Sequence, residues 1–229
     1  MDRRVSDGGS ADGKVQQLRI PLEARSPFSA AYFVTHSGVS GALNALDHAL
    51  VTTSEGSSEF FPFLLIAPAG FGKTHLLSLL GERANELGLS SERYQYFDDP
   101  LGAPAAEEDA VARSFIAAYE RMKSSGGVLV FAARERPTNP HIDSRLAFAV
   151  PLALELPKEE EMRPLVESLL ERKNLRFGEA NISYLLQRLP ADPLSLSHIF
   201  AKIDELCLAE GRHAGRAVLR EVLDQTRSR

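Results

Sequence analysis

Residues 61–77 read "FPFLLIAPAGFGKTHLL". The run from Phe61 to Pro68 is continuously apolar, short, and closed by Pro and Gly, which is the pattern of a strand buried on both faces. A helix is predicted to follow at once, from about Thr74 to Leu87, with Gly88 as its stop. Between the two stands "APAGFGKTH", residues 67–75. A Gly-rich turn from a strand into a helix that carries Gly-Lys-Thr is the pattern of a phosphate-binding loop. Gly70 and Gly72 let backbone N–H groups turn inward, Lys73 would reach the β- and γ-phosphates, and the Thr74 hydroxyl would hold Mg²⁺. The residues expected to contact nucleotide are Pro68, Ala69, Gly70, Phe71, Gly72, Lys73, Thr74 and His75. The motif asks for Gly at its first position, where this chain has Ala67.

Working outward from this stretch, "GALNALDHALV" (41–51) places Leu43, Leu46, Leu50 and Val51 on one helical face. "RYQYF" (93–97), "GGVLVFAAR" (126–134) and "LALEL" (152–156) read as further strands, with a helix reaching Met122 between the first two. After Pro157 the pattern becomes purely helical, with segments near 158–173, 179–189, 193–210 and 213–226, punctuated by Gly178, Pro190, Gly211 and Gly215. The expected organisation is a leader without fixed structure over 1–16, an extended peptide and linker over 17–27, a P-loop α/β domain over 28–157 and a small four-helix domain over 158–229. The fold class is α/β, with a mostly parallel sheet.

Mg²⁺ coordination and hydrolysis need a carboxylate at the tip of a neighbouring strand. Asp98, with Asp99 beside it, is the candidate; an acidic turn ahead of Pro100 is the plain alternative. The stretch from Lys73 to Asp98 holds one helix but not an additional strand and crossover, which takes about 10–12 residues or more. The sheet is therefore expected to be abridged. No Glu follows the Asp pair to act as base, so weak autonomous turnover or none is expected.

The net charge of −5 over 229 residues gives no general attraction to nucleic acid. One cysteine, Cys207, excludes an intramolecular disulfide and reads as a buried small hydrophobe. The apolar runs fall short of the ~18 residues of a membrane span, and no signal-peptide pattern opens the chain. A cytoplasmic protein is expected. His141 and His198 have no partners at metal spacing, and His75 is expected to pack rather than react.

A P-loop domain followed by four helices looks like an AAA+ module. "FGKTHLL" (71–77) resembles the bacterial replication initiator DnaA and its regulator Hda, as does "GGVLVFAARERP" with its following "HIDSRLAFAVPLALELP". "LLQRL" and "IDELCLAEGR" continue the likeness, which covers roughly residues 17–224. The early hexapeptide Gln17-Leu18-Arg19-Ile20-Pro21-Leu22 resembles the Gln-Leu-x-Leu-Pro-Leu motif by which Hda docks on the DNA polymerase sliding clamp. Gln17 would bond at a pocket rim, Leu18, Ile20 and Leu22 would supply apolar contacts, and Pro21 would pre-extend the peptide. Stapling of the leader to the domain is the alternative.

The resemblance further implies that Arg145, in "DSRL", is an arginine finger offered to a neighbouring subunit's nucleotide. Taken alone, Arg145 would read as a surface partner of Asp143 or Glu155. Two positions depart from the family. Ser197 stands where the sensor arginine of the third lid helix is expected, and Arg134 where the sensor strand should end in a polar residue such as Asp. An ADP-bound or empty pocket would fit both, and ADP is expected to bind at least as tightly as ATP. The implied function is an Hda-like regulator that docks on the clamp and promotes hydrolysis of DnaA-bound ATP, touching nucleic acid only indirectly. The likeness also leaves room for a homodimer. A self-sufficient ATPase and a non-catalytic adaptor are the rival readings.

Overall fold

The computed structural model describes residues 30–99, 105–189, 193–210 and 215–227. The leader and the hexapeptide at 17–22 lie outside these residues. A short 3-10 turn, Ala30–Tyr32, leads into α1 (Ser37–Ser54), β1 (Phe60–Ile66), α2 (Lys73–Glu86), β2 (Tyr94–Asp98), α3 (Ala105–Ser125) and β3 (Gly127–Ala133). Then come α4 (Pro140–Leu146), β4 (Val150–Ala153), a second 3-10 turn (Glu159–Glu161), α5 (Met162–Arg172), α6 (Glu179–Leu186), α7 (Pro193–Glu210) and α8 (Arg216–Arg227).

The four strands form one sheet in the order β2-β3-β1-β4, parallel at every pairing. Alternation along β1 explains its unbroken apolar run. Phe63 and Leu65 face α1 and α2 together with Val128 and Val130. Leu64 faces α3 and α4 together with Leu129, Phe131 and Phe115. Both faces are covered, so neither needs polar residues. Full burial of a side chain such as Phe131 is worth ~1.5–3 kcal/mol. Pro62 is tolerated in this central strand because the ladder to β4 starts only at Phe63.

Gly126 turns the end of α3 into β3. Its φ is +79°, and a Cβ there would lie 2.5 Å from the backbone carbon of Ser58, so both conformation and space demand glycine.

β4 begins and ends earlier than the 152–156 pattern predicts. It pairs with β1 over Val150–Ala153, after which Glu155 donates its N–H to Gly38 O at 3.0 Å and the chain leaves the sheet to meet α1. Leu154 is buried in either arrangement's apolar pattern, so hydropathy could not mark the exit. Likewise α1 is longer than 41–51, because docking against that segment orders its Gly-containing first turn.

Helices α5–α8 enclose a separate core of Val166, Leu185, Leu196, Phe200, Ile203 and Leu219. Cys207 packs at the edge of this core and is only partly buried, against the expectation of full burial. Polar contacts tie the helical unit to the sheet unit. The Glu161 carboxylate accepts from Ser37 N–H at 2.7 Å and from the Ser37 hydroxyl at 2.8 Å, and Ser168 donates to Tyr32 O at 3.0 Å. Among the described residues, no helix is long and apolar enough to cross a membrane.

Candidate functional site

The carboxyl ends of β1, β2 and β3 meet in register, with Ile66 opposite Ala133 and Asp98 opposite Ala132. Loops leaving a parallel sheet at this edge form a natural ligand crevice. The loop after β1 opens with Ala67, which is buried and donates its N–H to Ala133 O at 3.2 Å. Its φ is not positive, so a methyl in place of the motif's first glycine brings no strain. Gly70 and Gly72 do need their identity, with φ of +84° and +88°. Gly72 caps α2, its carbonyl accepting from Leu76 N–H at 2.8 Å, and no side chain caps the helix. The first N–H groups of α2 are thus left for an anion at the positive end of the helix.

Lys73 is buried and folded back on its own loop, donating from Nζ to Ala67 O at 2.7 Å and Pro68 O at 3.1 Å. Burial holds its ammonium below the usual lysine range, Asp99 and Asp98 pull the other way, and Arg134 adds to the lowering. Such an ammonium is held ready for a phosphate, which would return the charge balance that burial has upset.

Thr74 donates its hydroxyl to Asp98 Oδ2 at 2.6 Å. The other carboxylate oxygen, Oδ1, is buried and has no hydrogen-bond partner among the described residues. A buried carboxylate oxygen left without a partner is costly. A hard divalent cation with oxygen ligands would satisfy it, so Thr74 and Asp98 fit Mg²⁺. Asp99, in the left-handed region at φ 42°, turns to Arg134, whose Nε lies 2.6 Å from its Oδ2.

These groups line one cleft of about 470 Å³. Of the eight loop residues singled out in the sequence, Ala69, Gly70, Gly72, Lys73, Thr74 and His75 line it. Phe71 packs on the core instead, and Pro68 contributes only its carbonyl. His75 meets Phe33 edge-on at 5.2 Å, a packing role. Ser197 and Arg134, the two departures from the family pattern, both face the cleft. Tyr32, Leu165, Leu169 and Arg172 complete it from the far side and were not singled out beforehand. Their only sequence signal was membership of an apolar or helical pattern, which a core residue shares. An anion-binding end at the loop and an apolar floor opposite suit a ligand with a flat apolar group and a phosphate tail.

Arg145 lies elsewhere. Its Nη2 and Nε donate to Glu120 Oε1 at 2.7 and 3.0 Å, its Nη1 donates to His141 O at 3.0 Å, and its guanidinium lies 5.9 Å from the Tyr119 ring. Neither Asp143 nor Glu155 is its partner, because Asp143 pairs with Arg136. It borders a second groove, of about 530 Å³, together with the exposed Phe148, and shares no lining residue with the cleft.

No family model and no curated protein matches the sequence. Solved structures do. Domain III of the replication initiation protein DnaA from Thermotoga maritima superposes with a TM-score of 0.64 at 16% identity, over 86% of this chain and 96% of that one. AMPPCP-bound DnaA from Aquifex aeolicus gives 0.60 at 16% identity, over 90% and 71%. The Thermotoga maritima RuvB Holliday junction branch migration motor gives 0.59 at 16% identity, over 86% and 72%. The fold is that of an AAA+ P-loop NTPase core. Among the described residues the sheet has four strands, and helices α5 and α7 supply Leu165, Ser168, Leu169, Arg172 and Ser197 to the wall of the cleft facing the P-loop.

Proposed function

We propose that the protein binds an adenine nucleotide, ADP or ATP, with Mg²⁺ in this cleft and regulates replication initiation in the manner of Hda. The observation that carries the nucleotide reading is the Thr74–Asp98 contact, with its unpartnered second carboxylate oxygen, at the uncapped start of α2. Thr74 and Asp98 would hold the cation, Lys73 would exchange its loop carbonyls for phosphate oxygens, and Gly70 and Gly72 would supply backbone donors. Bound Mg²⁺ would offset charge on the phosphates there.

The regulatory part rests on the likeness to DnaA in fold and in the "DSRL" box. Arg145 would serve the nucleotide of a DnaA partner, since its groove is separate from this chain's own cleft. A guanidinium placed on a transferring phosphoryl in trans is worth ~10³–10⁵ in rate. Residues 17–22 would tether the protein to the sliding clamp in the cytoplasm. The deciding experiment is hydrolysis of DnaA-bound ATP with and without DNA-loaded clamp and this protein. Stimulation that needs both supports the reading, and none in their joint presence removes it. A non-catalytic adaptor is the second reading, favoured by one observation: all three guanidinium nitrogens of Arg145 already donate within the chain.

A further inference from the structure

One pair of opposite charges in the cleft has no part in the phosphate loop. Arg134 directly follows β3, and its Nε lies 2.6 Å from Asp99 Oδ2 in an ion pair. Asp99 directly follows β2, and its N–H donates to Ala132 O at 2.8 Å. Both backbones are therefore held by the same strand, β3. Both side chains line the cleft with Gly70, Lys73 and Thr74.

A guanidinium beside phosphate-binding groups is itself a phosphate ligand, planar, permanently charged and able to give parallel donors. Here a carboxylate already occupies it. Moving Arg134 from Asp99 to a phosphate exchanges one anion for another and leaves the Asp99 charge beside phosphate oxygens, where like charges repel. Resting on the nucleotide reading above, we propose that Asp99 is an internal anion that holds Arg134 from a terminal phosphate. It sets the diphosphate-to-triphosphate preference of the cleft and makes a triphosphate no better a ligand than a diphosphate.

The test is calorimetric titration of the full chain with Mg²⁺–ADP and with Mg²⁺–AMPPCP. Asn tolerates the left-handed backbone of position 99, so Asp99→Asn removes the charge and keeps the turn. The unaltered protein should bind ADP at least as tightly as AMPPCP. Asp99→Asn should move the ratio about tenfold towards AMPPCP, the scale of one charge-assisted contact. Adding Arg134→Gln to it should cancel that shift. Arg134→Gln alone leaves the Asp99 charge unneutralised beside the terminal phosphate, so it should weaken AMPPCP more than ADP, an independent readout should Asp99→Asn not fold. An unchanged ratio in Asp99→Asn, a shift that survives in the double variant, or equal losses in Arg134→Gln would each overturn the proposal. If Lys73→Ala loses both ligands while Asp99→Asn keeps the original ratio, this proposal alone falls. If the unaltered protein binds neither ligand, the nucleotide reading falls with it.

Discussion

Arg145 gives two donors to a single oxygen of Glu120, from Nη2 at 2.7 Å and from Nε at 3.0 Å. The pair joins α4 to α3 across the rim of a groove separate from the cleft beside the P-loop. An exposed pair of this kind contributes little to stability, ~0–1 kcal/mol. The arginine is thus available to a partner at small cost to the fold. Arg145→Ala should leave the melting temperature and ADP binding nearly unchanged and remove most stimulation of DnaA-bound ATP hydrolysis, because the lost contact exists mainly in the transition state. Lys should rescue poorly, lacking the planar fork. Full stimulation by Arg145→Ala would transfer the case to the adaptor reading.

Lys73→Ala should weaken Mg²⁺–ADP binding at least ~tenfold, by loss of one charge-assisted contact. Titration calorimetry reads it directly. An affinity equal to that of the unaltered protein would remove Lys73 from the site.

Replacing Gln17 and Leu22 together by Ala should abolish binding to immobilised clamp. On the docking reading these side chains serve a partner and the segment precedes the core, so the melting temperature should stay nearly unchanged. Undiminished clamp affinity in the double variant would end the docking reading.

Gly126→Ala puts a side chain at φ +79° against the Ser58 backbone. The conformational term alone is ~1–2 kcal/mol, and each kcal/mol lowers Tm by ~2–4 °C in a domain of this size. Calorimetric unfolding should show a clear fall. An unchanged Tm would mean that the α3–β3 turn rearranges freely.

Glu161 accepts from Lys158 N–H and from both donors of Ser37, which pushes its carboxyl down to about 2 from an ordinary 4.5. A carboxyl depressed in the folded state contributes stability above its unfolded value and loses it as pH falls through the folded one. The loss therefore falls between about pH 4.5 and pH 2. Glu161→Gln should flatten the dependence of Tm on pH across that window, while identical acid profiles would show that the contact is not maintained in solution.

The stretch from Phe61 to Leu77 was legible because its chemistry is local. A buried strand needs an apolar run, a left-handed turn needs Gly70 and Gly72, and a phosphate loop asks for Lys and Thr in fixed order where the helix begins. The other strands and helices and the purely helical stretch after Pro157 were legible for the same reason, each being carried by periodicity along a few turns; α4 was not, because "PTNPHID" (137–143) reads as a loop and the helix starts within it at Pro140. Long-range contacts decided the remainder. That Asp98 meets Thr74, that Asp99 turns to Arg134, and that Tyr32, Leu165 and Arg172 close the same cleft all follow from the strand order β2-β3-β1-β4 and the docking of α5. The partner of Arg145 is another such case. Asp143, two positions away, points to the other side of α4 and is taken by Arg136, whereas Glu120 is brought up from α3 by burial of Phe115, Tyr119 and Ile142 between the two helices. Side-chain periodicity says which face of an element is apolar, and only packing says what that face, and the charges beside it, will meet.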